Sequence, residues 1–390
     1  MPAGRNFGTD KGVPFAPGPR GIRLEPMGFP AFREPAFDKG RIKMAKRMKA
    51  AVVTEFGRFP EILEMDIPAF GPRDVLVKSR ACGICGSDIK LMQGKAPGIK
   101  VPLVMGHEFA GEVAEVGSEV KGIKPGDRAV IHIYIACNTC KNCRLGHQNR
   151  CENLQGQIGY TVPGGFAQYA RVPASNLVRL PENVSFAEGA LLSGAMASPL
   201  HCIRRADVTS ADTVAVFGAG GMGMHTIQIL RAMGARIIAA DIDQERLEFS
   251  KTLGASHTIN MAKEDAVEVI HKLTGGLGAD VAIQVVDGPA VGPVSATAAK
   301  SVARGGRVVL EGHYPDINFT YPVHEFAMRE LTVYGSRASR HQDLWDLVDM
   351  ATRGLVRPLV ARTFPFEQVA DAFKMFLETK LMGRITLAWE

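Results

Sequence analysis

The chain has 390 residues, 46% of them hydrophobic and 22% charged, which is ordinary for a globular protein with room for two domains. Its apolar runs fall well short of the roughly 20 residues that a membrane span needs, so the sequence predicts no membrane segment. The net charge of +6 comes entirely from residues 1–47, which hold ten basic and four acidic residues. The rest of the chain is balanced in charge, so its composition does not indicate nucleic-acid binding.

Residues 1–47 contain seven prolines and seven glycines, in runs such as GVPFAPGPRG. A segment of this composition cannot pack a hydrophobic core of its own. It is expected to be a flexible or surface-draped extension. An arm used in subunit contact, a disordered tail, or a start codon at Met44 or Met48 are the alternatives left open.

Residues 48–195 read as short β-rich runs separated by glycine and proline turns. Examples are MKAAVVTEF, DVLVKSRACGIC and EFAGEVAEVGSEV, the last of which alternates in period two before turning at a Pro-Gly-Asp sequence. This pattern predicts a small, barrel-like β domain.

Four cysteines stand close together in a loop without apolar periodicity, with the spacing C-x2-C-x2-C-x7-C: Cys137, Cys140, Cys143 and Cys151. Four thiolates this close can surround one tetrahedral Zn²⁺ ion and leave no coordination position open, which predicts a structural zinc lobe over residues 137–151. The N-terminus lacks the compact apolar stretch of a secretory signal. The cysteines are therefore expected to be thiols or metal ligands in a reducing, cytoplasmic compartment.

Residues 196–336 alternate between strand and helix patterns, from the strand DTVAVFG through the helix GMGMHTIQILRAMG to the strand RIIAAD. Such alternation predicts an α/β fold with a doubly wound parallel sheet. Residues 337–390 add two amphipathic helical patterns and a closing strand, GRITLAW.

A dinucleotide fingerprint joins the first strand and helix of this second domain. It has the pattern G-x-G-x-x-G and comprises Gly218, Gly220, Gly221, Met222 and Gly223. Its glycines let the backbone approach a pyrophosphate, which the helix N-terminus binds. Asp241 ends the next strand, where a carboxylate accepts bonds from the adenosine ribose and repels a 2′-phosphate. NAD is therefore expected rather than NADP, and Asp243 adds to the repulsion. Arg246 is a further candidate beside the cofactor that could help a phosphate bind, although an arginine at this position of the following helix is more often solvated.

Together with two further motifs, GICGSD at 83–88 and GHEFAGEV at 106–113, these features resemble the medium-chain dehydrogenase/reductase superfamily, in its zinc-containing alcohol and polyol dehydrogenase branch. The resemblance covers about residues 48–390. It implies a GroES-like catalytic domain over 48–195, a Rossmann NAD-binding domain over 196–336, and a return of 337–390 to the catalytic domain. It also implies a homodimer or homotetramer.

The resemblance assigns roles to individual residues. Cys85 and His107 match the first two ligands of a catalytic zinc, and Glu108 matches a conditional ligand. Ser87 matches the hydroxyl that takes the proton of the alcohol, and Asp88 matches a carboxylate that orients a zinc ligand. Arg384 matches a residue that contacts the cofactor pyrophosphate. Cys82 is expected to be a buried packing thiol rather than a ligand.

The chain departs from the family pattern at two positions. The family's third zinc ligand falls at Gly194 when the sequence is aligned back from His201, and at Ser193 when it is aligned forward from Ala190; neither is a normal zinc ligand. Lys90 stands where many relatives carry a histidine that passes the proton to solvent. A solvated lysine is favoured there over contact with an anionic substrate.

The sequence therefore predicts reversible hydride transfer from a secondary alcohol or polyol to NAD, with two zinc ions per chain, a small-molecule substrate, and neither nucleic-acid nor membrane partners. Two alternatives stay open. One is a reductase of an enone or quinone that has no catalytic zinc and keeps only the structural zinc. The missing third ligand of the catalytic zinc is the reason for considering it. The other is a non-catalytic scaffold.

Overall fold

The computed structural model describes residues 47–96, 98–314 and 316–389. The extension predicted over residues 1–47 lies outside the described residues except for Arg47. Ten strands form the β-rich part: β1 (Arg47–Val53), β2 (Glu61–Asp66), β3 (Asp74–Gly83), β4 (Leu103–Val104), β5 (Glu108–Val116), β6 (Arg128–Ile131), β7 (Tyr134–Ile135), β8 (Gly156–Gln157), β9 (Tyr169–Pro173) and β10 (Leu177–Arg179).

Short helices interrupt and follow these strands: α1 (Gly86–Met92), α2 (Lys141–Arg144), α3 (Phe186–Leu191) and α4 (Ala197–Arg205). Between α3 and α4 the helix continues through a π-helical turn, Leu192–Met196. Single 3₁₀ turns lie at Gln148–Arg150, Ala174–Asn176 and Phe366–Gln368. Ser185 begins α3 with a capping box, its hydroxyl accepting a bond from the backbone N–H of Glu188.

The β-rich part has two main sheets. One has the order β2-β1-β4, and β5, β6, β9 and β10 gather around β3 in the other. β3 is the central strand because it pairs antiparallel with both β5 and β9. Val75 and Val77 alternate along it into the hydrophobic core.

The second part is a six-stranded sheet whose strand pairs are all parallel. Its strands and helices alternate along the chain: β11 (Thr213–Phe217), α5 (Gly221–Met233), β12 (Arg236–Asp241), α6 (Gln244–Leu253), β13 (His257–Asn260), α7 (Ala266–Leu273), β14 (Ala279–Gln284), α8 (Val291–Ser301), β15 (Val302–Leu310), α9 (Val323–Met328) and β16 (Thr332–Gly335). The spatial order is β13-β12-β11-β14-β15-β16. The order reverses between β11 and β14, and a dinucleotide binds at such a switch point. The prediction of an α/β fold with a parallel doubly wound sheet is confirmed.

The C-terminal segment comprises α10 (His341–Thr352), β17 (Val360–Pro365), α11 (Val369–Glu378) and β18 (Arg384–Ala388). β18 pairs antiparallel with β3, with Thr386 opposite Gly83. This pairing brings the last strand of the chain beside the motif that follows β3. In the part of the chain that the structure describes, no helix has both the length and the apolarity to cross a membrane.

Candidate active site

Cys85 lies at the end of β3, in the turn that starts α1. The backbone N–H of Cys85 donates to Asp88 Oδ2 at 2.8 Å, so the carboxylate three residues ahead holds the turn in place. Asp88 is fully buried. This local bond fixes the direction of the Cys85 side chain relative to the sheet.

His107 and Glu108 reach the same place from the next strand. Glu108 begins β5 and stands opposite Gly83 in the β3–β5 pairing. Gly106 precedes them with φ 90°, a left-handed conformation that favours glycine. The ligand atoms of Cys85, His107 and Glu108 all lie within 4.8 Å of one another.

Two further side chains contact the imidazole of His107. Its Nδ1 lies 3.3 Å from Asp88 Oδ1, and its Nε2 lies 3.4 Å from the hydroxyl of Ser87. A histidine ligand is commonly oriented by a carboxylate at its second nitrogen. The arrangement leaves Nε2 facing Cys85 and Glu108, with Ser87 alongside.

The charges around this group favour a thiolate at Cys85. Burial by itself raises the pKa of Cys85, but the Arg384 guanidinium and His107 outweigh it and bring the pKa to about 5. Burial raises the pKa of Glu108 to about 8, against the opposing effect of Arg384. A second anion is therefore costly here unless another cation joins the site.

A zinc ion fits this site chemically. Thiolate, imidazole and carboxylate are the three ligand types that catalytic zinc sites use, with the fourth position left for water or substrate. Within the described residues, Glu108 Oε2 is buried and lacks a hydrogen-bond partner. Such an orphaned buried acceptor is costly, and a bound cation would satisfy it.

The four-cysteine lobe is a separate group. The four sulfur atoms lie within 4.8 Å of one another, and Cys137 Sγ is 3.9 Å from Cys143 Sγ. A tetrahedron with Zn–S bonds of 2.3 Å has edges of about 3.8 Å. Backbone N–H groups of Cys140 and Cys137 point at Cys137 Sγ and Cys151 Sγ, both at 3.3 Å, as N–H donors do toward thiolates.

The fingerprint glycines lie between β11 and α5, as the pattern requires. Gly218 has φ 101°. A Cβ at Gly223 would lie 1.7 Å from the Gly218 carbonyl oxygen, so only glycine allows this tight turn. Asp241 ends β12 and accepts bonds from the backbone N–H groups of Ala219 (2.6 Å) and Asp243 (2.9 Å). Each carboxylate oxygen still has lone pairs available for a ribose hydroxyl.

Arg384 connects the two halves of the site. It is buried, and its Nη2 lies 3.8 Å from Glu108 Oε1. A Cβ at Gly221, at the start of α5, would lie 2.9 Å from Arg384 Nε. The guanidinium thus stands beside both the ligand group and the helix N-terminus where a pyrophosphate would bind.

Two further charged residues, Asp243 and Arg246, bear on the choice between NAD and NADP. The Asp243 carboxylate caps α6 and pairs with Lys380 at 2.5 Å, so little of its charge is free to repel a 2′-phosphate. Arg246 lies beside the fingerprint: its Nη1 would be 3.9 Å from a Cβ at Gly220. The choice between NAD and NADP therefore depends chiefly on Asp241 and Arg246.

The structure also shows where the residues lie at which the chain departs from the family pattern. Ser193 Oγ donates to the Ala190 carbonyl at 2.9 Å, and a Cβ at Gly194 would lie 2.4 Å from Glu108 Oε1. Cys82 is buried outside the three-ligand group. The expectation of a solvated Lys90 is wrong: its Nζ lies 2.5 Å from Asp287 Oδ2, and its side chain is 20% exposed.

Tyr160 is a site residue that the sequence reasoning missed. Its ring meets the imidazole of His107 edge-on, with centroids 5.0 Å apart, and its hydroxyl interacts with Ser87. The available signal was a tyrosine within a glycine-rich loop, Gly159 to Gly165, just after the cysteine lobe. Such a loop can approach a site closely, but its partner cannot be read from local sequence.

Comparison with known proteins agrees with this geometry. Residues 71–182 match the family described as alcohol dehydrogenase GroES-like domain, and residues 221–353 match the family described as zinc-binding dehydrogenase. An alcohol dehydrogenase from Geobacillus stearothermophilus is 36% identical over 343 residues, covering 87% of this chain and 98% of that protein. The chain belongs to the zinc-containing medium-chain dehydrogenase/reductase superfamily.

Other members of the superfamily are nearly as similar to this dehydrogenase. An L-threonine 3-dehydrogenase from Symbiobacterium thermophilum is 35% identical over 352 residues, covering 88% of this chain and 98% of that protein. A solved zinc-binding dehydrogenase from Sinorhizobium meliloti, bound to NADP, has a TM-score of 0.80 at 28% identity and covers 88% of this chain and 99% of that one. These relatives identify an alcohol oxidoreductase, and neither the zinc-free reductase nor the scaffold is favoured.

Proposed function

We propose that this medium-chain dehydrogenase oxidises a secondary alcohol or polyol with NAD, reversibly, at a zinc site formed by Cys85, His107 and Glu108. The observation that carries the proposal is the position of Arg384. Its guanidinium lies 3.8 Å from Glu108 and against the start of α5, so one side chain borders both the metal ligands and the fingerprint.

When bound, zinc would supply Lewis-acid polarisation of the alcohol, and the nicotinamide would accept the hydride. The chain's own residues have four tasks. Asp88 orients His107, and Ser87 relays the proton of the alcohol: its oxygen takes up that proton while its own hydroxyl proton passes to a ribose hydroxyl of the cofactor or to water. Arg384 and the N–H groups at the start of α5 bind the pyrophosphate. The buried walls of the cleft exclude water from the reacting atoms.

Metal analysis tests the zinc proposal. We expect two zinc ions per chain, one in the Cys85–His107–Glu108 group and one in the four-cysteine lobe. Cys85→Ala is expected to lower the count to one and to abolish alcohol oxidation. A parent protein with a single zinc that survives Cys85→Ala would refute catalysis by zinc.

The cofactor is tested by comparing kcat/KM for NAD and NADP. Asp241 supports NAD, since its carboxylate repels a 2′-phosphate, whereas the similar protein from Sinorhizobium meliloti is bound to NADP. We expect Asp241→Ala to reduce the preference for NAD at least about tenfold, because it removes the charge that repels a 2′-phosphate. A tenfold change corresponds to about 1.4 kcal/mol of relative binding free energy. A parent enzyme that prefers NADP would overturn the role of Asp241.

The substrate can be identified by assaying the enzyme for NADH formation with a panel of secondary alcohols, polyols, cyclic alcohols and L-threonine. We further propose a cytoplasmic homodimer or homotetramer. All seven cysteines are unpaired in the structure, which fits a reducing compartment. Sedimentation analysis of the purified enzyme would test the oligomeric state.

A further inference from the structure

The carboxylate of Glu108 is held in a slot between two glycines. A Cβ at Gly194 would lie 2.4 Å from its Oε1 and 2.5 Å from its Cγ, and a Cβ at Gly83 would lie 2.7 Å from its Oε2. Such distances are far inside van der Waals contact. Glu108 could not take this position if either residue carried a side chain and the backbone stayed in place.

The position of Gly194 depends on the π-helical turn Leu192–Met196. A π turn closes i→i+5 bonds, so it holds one residue more than an α-helical turn, and such turns are frequent at functional sites. The extra residue explains why alignment from the two sides of this turn differs by one position. It also brings Gly194, rather than a side chain, against the carboxylate.

Ser193, the other candidate for the missing ligand, is already committed. Its hydroxyl donates to the Ala190 carbonyl within the same helical segment, at 2.9 Å. From outside the ligand group, Arg384 Nη2 lies 3.8 Å from Glu108 Oε1. Within the described residues, Oε2 is buried and has no hydrogen-bond partner. The carboxylate is thus available to a metal and confined in place.

We propose that Gly194 is a positioning residue: the absence of a side chain there admits the Glu108 carboxylate and commits it as the permanent third protein ligand of the catalytic zinc. This inference rests on the proposed zinc site. It adds that the π-helical turn contributes a glycine rather than a ligand side chain, and that this glycine makes room for the carboxylate ligand from β5.

The test measures zinc affinity of the full-length protein by competition with a chromophoric chelator. Gly194→Ala is expected to weaken the second, catalytic zinc by about 10- to 100-fold, the usual cost of disturbing a group that supports a metal ligand. The lobe zinc should be unaffected. Two control variants, Ser193→Ala and Gly335→Ala, should leave both affinities within threefold, since a Cβ at Gly335 meets nothing within 4 Å.

A double-mutant cycle shows whether the effect acts through Glu108. Glu108→Ala alone should weaken the catalytic zinc, and adding Gly194→Ala should weaken it no further, because the colliding carboxylate is gone. The double variant should also unfold at the same temperature as Glu108→Ala, which keeps the test valid if Gly194→Ala alone is unstable. Glu108→Ala combined with Gly194→Cys should regain at least tenfold in zinc affinity, as a thiolate from position 194 fills the vacated space.

The outcomes separate the two proposals. A parent protein that binds only the lobe zinc would refute the proposed function. A parent with two zinc ions whose Gly194→Ala variant keeps its affinity within threefold would refute the positioning role alone. Additive losses in the double-mutant cycle would likewise show that Gly194 does not act through Glu108.

Discussion

Tyr160 has a hydroxyl beside Ser87, the residue proposed to take up the proton of the alcohol. Burial raises the pKa of Tyr160 to about 12, so the phenol stays protonated at neutral pH and its hydroxyl remains a donor. Ser87 also lies 3.4 Å from His107 Nε2, a nitrogen that a bound zinc would occupy. With that nitrogen bound to zinc, Tyr160 would be the neighbouring side chain with which the Ser87 hydroxyl interacts.

We expect Tyr160→Phe to lower kcat about tenfold and to alter its pH profile, with zinc content unchanged. The loss should stay below the 100-fold or more that follows removal of a general acid or base, because Ser87 itself remains. Tyr169→Phe, the same change at a partly buried tyrosine of β9, is the matched control. Equal kcat and pH profiles for the two variants would show that the Tyr160 hydroxyl has no part in the reaction.

At the scale of elements, the sequence predicted those helices and strands whose positions are determined by local residue patterns. Glycine spacing and a preceding apolar strand located the start of α5, and the ladder of short β runs located β3 and β5. The π-helical turn could not be predicted. Its residues have no distinctive propensity. The turn is recognised only by its i→i+5 bonding and by the approach of Gly194 to Glu108, which lies 86 residues earlier in the chain.

Helix α10 is tied to α4 by a buried carboxylate, Asp343. It accepts bonds from His201 Nδ1 (2.9 Å), Arg204 Nη1 (2.8 Å) and Arg340, through both its backbone N–H and its guanidinium (each 2.8 Å). Because α4 continues from the π-helical turn, this network also fixes the helix that carries Gly194. Burial by itself raises the pKa of Asp343, but these donors outweigh it and hold the pKa far below its ordinary value.

We expect Asp343→Asn to lower the free energy of unfolding at pH 7 by about 3 kcal/mol, since it removes a fully buried carboxylate and leaves the partly buried Arg204 and Arg340 without their anionic partner. The folded-state pKa is depressed, so the carboxylate stabilises the fold above its unfolded pKa near ~4 and loses this effect as the pH falls below it. The parent should therefore lose more stability than the variant between pH 5 and pH 3. Urea unfolding at these pH values measures both effects.

The control is Asp346→Asn on the same helix. Asp346 contacts Arg204 at 2.5 Å, but its side chain is about one-third exposed, so its loss should cost under about 1 kcal/mol. Similar losses for the two variants would mean that burial does not strengthen the Asp343 network.

The whole molecule assembles its site from segments that are far apart in the chain. The Arg384 guanidinium lies near Glu108 and 3.4 Å from the Ile84 carbonyl, a separation of 300 residues along the sequence. The order of motifs predicted the two kinds of domain, and it named Cys85, His107 and Glu108, whose ligand atoms the structure brings together. The contacts were not predictable, because they depend on how β18 pairs with β3 and how the two domains face each other.

Lys90 makes a contact between the two domains. It lies on α1 in the β-rich domain, yet its Nζ contacts Asp287 Oδ2 at 2.5 Å and the His313 carbonyl at 3.3 Å. Both partners follow strands of the parallel sheet, at the carboxyl ends of β14 and β15 where a dinucleotide binds. The pair therefore connects the two domains across the cleft.

Because Lys90 and Asp287 are 20% and 46% exposed, their pairing is worth about 0.2–1 kcal/mol, or at most about fivefold in affinity. We expect Lys90→Met to weaken cofactor binding two- to fivefold, measured by fluorescence titration with NADH. Raising the salt to 1 M should weaken binding by the parent more than by the variant, since salt screens the pair.

Lys95→Met, at an exposed lysine in the turn after α1, is the control. The exchanged pair, Lys90→Asp with Asp287→Lys, should recover part of the NADH affinity. If the exchanged pair binds NADH no better than Lys90→Met, the contact across the cleft does not contribute to cofactor binding.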